Sequence, residues 1–172
     1  DNVAQLYKAF ENDTNVFMVM ELWENQSLIE LMRNRRRITE TETRWYIAQL
    51  VKGIRYIHSQ NIVHRDLKLG NLFLTAKMEL KIGDFGLSEY VKDPNDKLMS
   101  LSGTPNYIAP EILEKSGHLY EVDIWAIGVI AYTLLVGAPP FQAKTSKATC
   151  SRIKQVLYSF PRWLDITDSC KG

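Results

Sequence analysis

Cysteine is scarce in this sequence. Only Cys150 and Cys170 carry a thiol, and they form no CxxC pair and have no histidine cluster near them. A zinc site built on them is excluded, and both read as buried or idle side chains. An excess of one charge is also lacking: 21 Lys and Arg face 20 Asp and Glu, a formal net charge of +1. No overall field draws the chain toward nucleic acid or an anionic membrane, so partners have to be read from local sites. The opening "DNVAQLYKAFENDTN" has no basic start followed by an apolar core, and so does not read as a secretory leader. The longest apolar region, "VDIWAIGVIAYTLLVGAPPF", approaches the roughly 20 residues of a membrane span. Asp123 at its start, Tyr132 and Thr133 within it and the Pro pair near its end fit a buried core helix better. Together these absences favour a cytoplasmic or nuclear protein without membrane or nucleic-acid partners. Repeats and low-complexity tracts are missing too, and 45% hydrophobic content suits one globular domain, or most of one.

What is present reads as a mixed α+β chain. "VAQLYKAF" and "VFMVMEL" flank the turn-forming "ENDTN", which predicts a β-hairpin with Glu11 in its turn. A short helix is expected over Ser27 to Arg33. The clearest helix begins after Thr39, with Glu42 three residues on as in a capping box and apolar groups at Tyr46, Ile47, Leu50, Ile54 and Ile57. The pieces "IVH", "NLFL" and "ELKIG" read as short strands between loops. Ser88 to Asn106 has little periodicity and reads as one long loop, of a length that is usually functional or disordered. A short helix in "APEILEKSG" is expected to end at Gly117, followed by helices over Glu121–Val136 and Lys147–Val156. The tail "DITDSCKG" stops where another could begin.

The chemistry concentrates in "HRDLKLGN" and "GDFG". Asp66, Asn71 and Asp84 lie on loops bounded by "NLFL" and "LKIG", and pairing of those pieces would turn the loops toward one another. Hard oxygen ligands of this kind suit magnesium on phosphates, where the ion keeps several waters.

These residues resemble the eukaryotic protein kinases. His64-Arg65-Asp66 with Asn71, then Asp84-Phe85-Gly86, then Ala109-Pro110-Glu111 follow the order of the kinase signature set. The stretches "HRDLKLGNLFL", "SGTPNYIAPEIL" and "YTLLVGAPPFQ" are similar to polo-like Ser/Thr kinases in particular. The likeness runs nearly end to end and loosens after Tyr158. It implies a partial kinase catalytic domain over residues 1–172: the end of the small lobe at 1–20, a hinge at 21–26 and a truncated large lobe at 27–172. It also implies ATP and Mg2+ as cofactors and protein substrates with Ser or Thr acceptors. Asp66 would orient the attacking hydroxyl, Lys68 would neutralise the transferred phosphoryl group, and Asn71 and Asp84 would hold magnesium. Thr104 would pack beside Asp66 and Lys68 and help seat the acceptor.

In the same comparison Met20 would be the gatekeeper, Glu21 would offer its carbonyl to adenine, and Trp23 its amide and carbonyl, over a floor made by Phe73. Trp23 stands where polo-like kinases have a smaller residue. Arg65 before the catalytic Asp implies ordering by a phosphate between the second and third motifs, placed there by an upstream kinase. Ser100, Ser102 and Thr104 are the candidates, with Ser100 favoured. The likeness further suggests cell-division substrates with an acidic residue on the amino-terminal side of the acceptor, in cytoplasm and nucleus, at centrosomes or spindle.

The family's glycine-rich loop, ATP-gripping Lys and its Glu partner have no match, since Lys8 is in the wrong strand. Glu111 expects an Arg from a later helix. The isolated chain is therefore expected to be inactive, and a pseudokinase or scaffold is the alternative. His58 and His118 read as ordinary surface or helix-end residues, and His64 as a core contact. "RNRRR" at Arg33 to Arg37 reads as a solvated helix end, and Asp123 as a support for the catalytic loop or a simple cap.

Overall fold

A computed structural model describes residues 1–93 and 95–171. The first two apolar runs pair antiparallel as β1 (Leu6–Glu11) and β2 (Val16–Met20), with Leu6 opposite Met20 and Glu11 opposite Val16. Asn12 makes the turn, its side-chain oxygen accepting from the N–H groups of Thr14 (3.1 Å) and Asn15 (2.8 Å). With Asn12 supplying the turn's hydrogen bonds, Glu11 closes β1 instead of sitting in the turn. Phe10, Val16, Met18 and Val19 stay exposed on this hairpin.

Helix α1 (Leu28–Arg35) starts at Ser27, whose N–H donates to Glu30 (3.3 Å). Helix α2 (Glu40–Ser59) starts at Thr39, which exchanges bonds with Glu42 as the capping box predicts: Thr39 N–H to the carboxylate at 3.0 Å and Glu42 N–H to the hydroxyl at 3.3 Å. The "RNRRR" end of α1 is used structurally. Arg35 pairs with Glu42, and the Arg37 guanidinium lies 4.6 Å from the centre of the Trp163 ring.

Strand β4 (Leu72–Leu74) follows a single 3-10 turn and pairs antiparallel with β5 (Leu80–Ile82), the hairpin expected of those pieces. The stretch read as one long loop holds more order than its sequence shows. Within it β6 (Glu89–Tyr90) pairs with β3 (Ile62–Val63), and Leu98 bridges to His118. Two-residue strands carry no periodicity, so only their partners reveal them. Pro94, within that stretch, lies outside the described residues, as does Gly172.

Helix α3 (Pro110–Glu114) ends at Lys115 in the left-handed conformation rather than at Gly117, because the Lys115 N–H already closes onto Ile112 and Glu111. Gly117 (φ +81°) serves a close approach instead: a Cβ there would lie 2.8 Å from that of Lys97. Helix α4 (Glu121–Val136) matches its expected span and buries most of its side chains, including Val122, Ala126, Ile127, Ile130 and Leu134, while Ile124 stays exposed. Helix α5 runs over Ser146–Lys154 and α6 over Asp168–Lys171. The core joins α2 and α4 to the β4–β5 hairpin through Leu50, Ile54, Leu72, Ile82 and Ile130. It is an α+β arrangement with the helical body below and the β1–β2 hairpin at one end. Among the described residues no helix is long and apolar enough to cross a membrane.

Candidate active site

The loop between β3 and β4 is shaped from below by Asp123 in the first turn of α4. This carboxylate is 1% exposed and accepts three bonds: from the N–H of His64 (2.9 Å), the N–H of Arg65 (2.9 Å) and Nε2 of His58 (2.8 Å). Asp123 is thus the loop support anticipated for it rather than a cap. His58, read as an ordinary helix-end residue, is the third donor; at 65 residues' separation nothing in the sequence joined the two. Arg65 is held at φ +68°, a conformation a non-glycine residue keeps only where its surroundings over-determine it.

The His64 ring is the strut between the two signature segments. Its Nδ1 accepts the Asp66 N–H (3.3 Å), so the proton sits on Nε2, which bonds the Gly83 carbonyl (3.1 Å). Burial holds this imidazole below its usual range, so it stays neutral, and it packs 5.0 Å from the Phe85 ring. The core-contact reading of His64 fits this placement.

Three of the candidate residues meet at Asp66, itself 7% exposed. The Thr104 hydroxyl donates to Oδ1 (2.7 Å), Lys68 Nζ to Oδ2 (2.5 Å), and Asn71 Nδ2 to the Asp66 carbonyl (2.9 Å) and Oδ2 (3.3 Å). The Gly83 N–H donates to the Asn71 carbonyl (3.0 Å), which brings Asp84 beside Asn71. Asp84 (φ +57°) is exposed, and its carboxylate accepts only the Gly86 N–H (3.3 Å) among the described residues. With Nδ2 of Asn71 committed to Asp66, Oδ1 remains for a ligand. One amide oxygen and one unpaired carboxylate fit a magnesium ion that keeps its waters. No group of three or more His, Cys, Asp and Glu that could cage a metal occurs among the described residues.

The segment from Glu21 to Gln26 is tied down on both sides. Glu21 exchanges bonds with Gln5 and pairs with Lys81 (3.1 Å), while Asn25 and Gln26 bond the backbone of Leu74. The Glu21 carbonyl and Trp23 N–H have no partner among the described residues, and the Trp23 carbonyl accepts the Gln26 N–H (3.1 Å). Trp23 stacks on Phe73, with ring centres 4.1 Å apart and planes at 17°. Phe73 lies close to Gly83, where a Cβ would be 2.8 Å from the ring. Met20 ends β2, half-buried, just before this segment.

Arg65 organises a second cluster. Its guanidinium donates to the Ser100 hydroxyl (2.7 Å) and the Leu87 carbonyl (2.8 Å), and it pairs with Glu89 (3.1 Å). Ser100 is exposed, whereas the Ser102 hydroxyl is buried without a partner among the described residues. Glu89 and Lys81 were missed in the sequence, since each is a lone charge in a short strand. His118, read as an ordinary surface or helix-end residue, is 1% exposed, because its backbone pairs with Leu98 on the segment that folds over it.

Residues 1–171 match the protein kinase domain family. The chain is 50% identical over 163 residues to serine/threonine-protein kinase polo of Drosophila melanogaster, covering 95% of this chain and 28% of that protein. It is 50% identical over 164 residues to serine/threonine-protein kinase PLK1 of Xenopus laevis, covering 95% and 27%. A cell cycle serine/threonine-protein kinase of Saccharomyces cerevisiae is 46% identical over 172 residues, covering 99% and 24%. The chain spans about a quarter of the length of these relatives.

Proposed function

The chain belongs to the protein kinase family, and on that premise we propose that the protein transfers the γ-phosphate of ATP to Ser or Thr hydroxyls of protein substrates. The observation that carries this reading is the convergence of Lys68, Thr104 and Asn71 on Asp66, with Asp84 held beside them through the Gly83 N–H. An entering hydroxyl would donate to Asp66, whose carboxylate is fixed from both sides, and Lys68 would swing from Asp66 to the phosphoryl oxygens. Asn71 Oδ1 and the Asp84 carboxylate would hold Mg2+, which when bound draws negative charge from the phosphates. The Glu21 carbonyl and Trp23 N–H would bond the adenine edge, beside the gatekeeper Met20 and over Phe73.

Phosphorylation of Ser100 by an upstream kinase would strengthen its bond to Arg65 and order the segment around it. The relatives' names support Ser/Thr substrates in cell-cycle control; a setting in cytoplasm and nucleus, at centrosome or spindle, rests on the resemblance to polo-like kinases. Residues 1–172 hold the half of the site that faces the hydroxyl and the metal, but no glycine-rich loop or phosphate-gripping Lys. Taken alone they would transfer little phosphate, which a radiolabel assay on the isolated segment checks. The main test is Asp66→Asn in the full-length protein. Turnover should fall at least about a hundredfold while a fluorescent ATP analogue still binds. Undiminished turnover would overturn the assignment.

A further inference from the structure

His118 is buried at 1% exposure, yet its Nε2 has no hydrogen-bond partner among the described residues. A buried ring nitrogen left unpaired is costly, and native folds rarely retain one without a use. Its surroundings suggest that use. The N–H and carbonyl of His118 both bond Leu98, each at 3.0 Å, and the preceding Gly117 lies so close that a Cβ would be 3.2 Å from Met99 Sδ. Ser100 is two residues past Leu98, with its hydroxyl 2.7 Å from Arg65 Nη1. Three elements therefore meet here: the catalytic loop through Arg65, the segment through Ser100, and the α3–α4 connection through His118.

We propose that His118 is a second phosphate-receiving residue: once Ser100 is phosphorylated, the His118 ring and the Arg65 guanidinium hold the phosphate between them. This rests on the reading of Ser100 as a phosphate acceptor. The charge balance supports it. Arg65, with a side chain only 6% exposed, is already paired with Glu89, so a phosphate of charge about −1.5 to −2 would share one cation with a carboxylate. A second cation removes that conflict. The charged groups around His118 are Arg65, Glu89 on β6, Glu121 and Asp123 on α4, and Lys97, whose stem packs on Gly117. While Ser100 is unmodified, burial first and Arg65 second hold the ring below its usual range, leaving it neutral. A phosphate reverses the local field, so the ring takes up a proton and donates to it.

The test is a 31P NMR titration of the full-length protein carrying phosphoserine at position 100. The second ionisation of the phosphate should move down by about one pH unit relative to His118→Gln, a tenfold change in acidity, and Arg65→Gln should shift it as well. A shift with Arg65→Gln but none with His118→Gln overturns the role of His118. No shift with either variant overturns the Ser100 reading beneath it. Histidine-selective 15N labelling gives the answer without substitution: the His118 ring should protonate at least about one unit higher in the phosphorylated protein. An unchanged midpoint counts against the proposal.

Discussion

Replacing Asp123 by Asn perturbs one atom at the point where α4 shapes the loop between β3 and β4. The carboxylate accepts from three donors, at 2.9, 2.9 and 2.8 Å, and is 1% exposed. An amide offers a single oxygen. Turned toward His64 and His58, it leaves its NH2 facing the Arg65 N–H. One charge-assisted bond worth about 1.5–3 kcal/mol is then lost, and the two others weaken by roughly 1 kcal/mol each. The expected destabilisation is about 3–5 kcal/mol, a large share of a typical total stability of about 5–15 kcal/mol. Arg65 at φ +68° would relax once its N–H loses its acceptor, and Asp66 would move with it. A displacement near 1 Å at a reacting group costs about a hundredfold in rate. Urea unfolding of the full-length protein reads the first effect and kcat for a Ser or Thr peptide reads the second. A variant within about 1 kcal/mol of the parent and with the parent's kcat would refute the reasoning.

Glu42 should make the stability acid-sensitive. Arg35 first and the Thr39 N–H second bring its carboxyl to about 2, below the ordinary 4.5, so its contribution is present above about pH 4.5 and is lost as pH falls toward 2. The side chain is 36% exposed, so screening limits the contribution to about 1 kcal/mol; Glu42→Gln should remove that fraction of the difference in urea midpoint between pH 6 and pH 3. Gly137→Ala should destabilise by about 1–3 kcal/mol in thermal melts, since φ is +90° and a Cβ would lie 2.7 Å from the Arg36 carbonyl oxygen. Trp23→Ala should remove a stack worth about 1 kcal/mol and raise KM for ATP several-fold with kcat little changed, while Trp23→Phe restores it; equal KM values in all three proteins would separate Trp23 from the nucleotide site.

Much of the local architecture was legible beforehand. Thr39 and Glu42, with the apolar spacing of α2, announce a helix because capping and 3.6-residue periodicity act over a few neighbours. The long apolar run of α4, broken by Asp123, Tyr132 and Thr133, identified a buried core helix, whose span matched its expectation. The meeting of Asp66 with Lys68 and Asn71 is also local, lying within five residues. Other features were hidden. β6 has two residues, the Lys115 cap replaced Gly117, and the roles of His58, Glu89, Lys81 and His118 depend on partners far along the chain.

By itself the sequence determined the longer helices, a turn within "ENDTN" and the order of the signature segments, since each is set by residues within one or two turns of one another. The tertiary structure alone decided the shape of the loop between β3 and β4, the stack of Trp23 on Phe73, the hold of Arg65 on Ser100 and the burial of His118. Loops have no repeating hydrogen-bond pattern of their own, so their conformation is imposed by donors and acceptors on elements packed against them. Asp123, 58 residues beyond Arg65, is the clearest case.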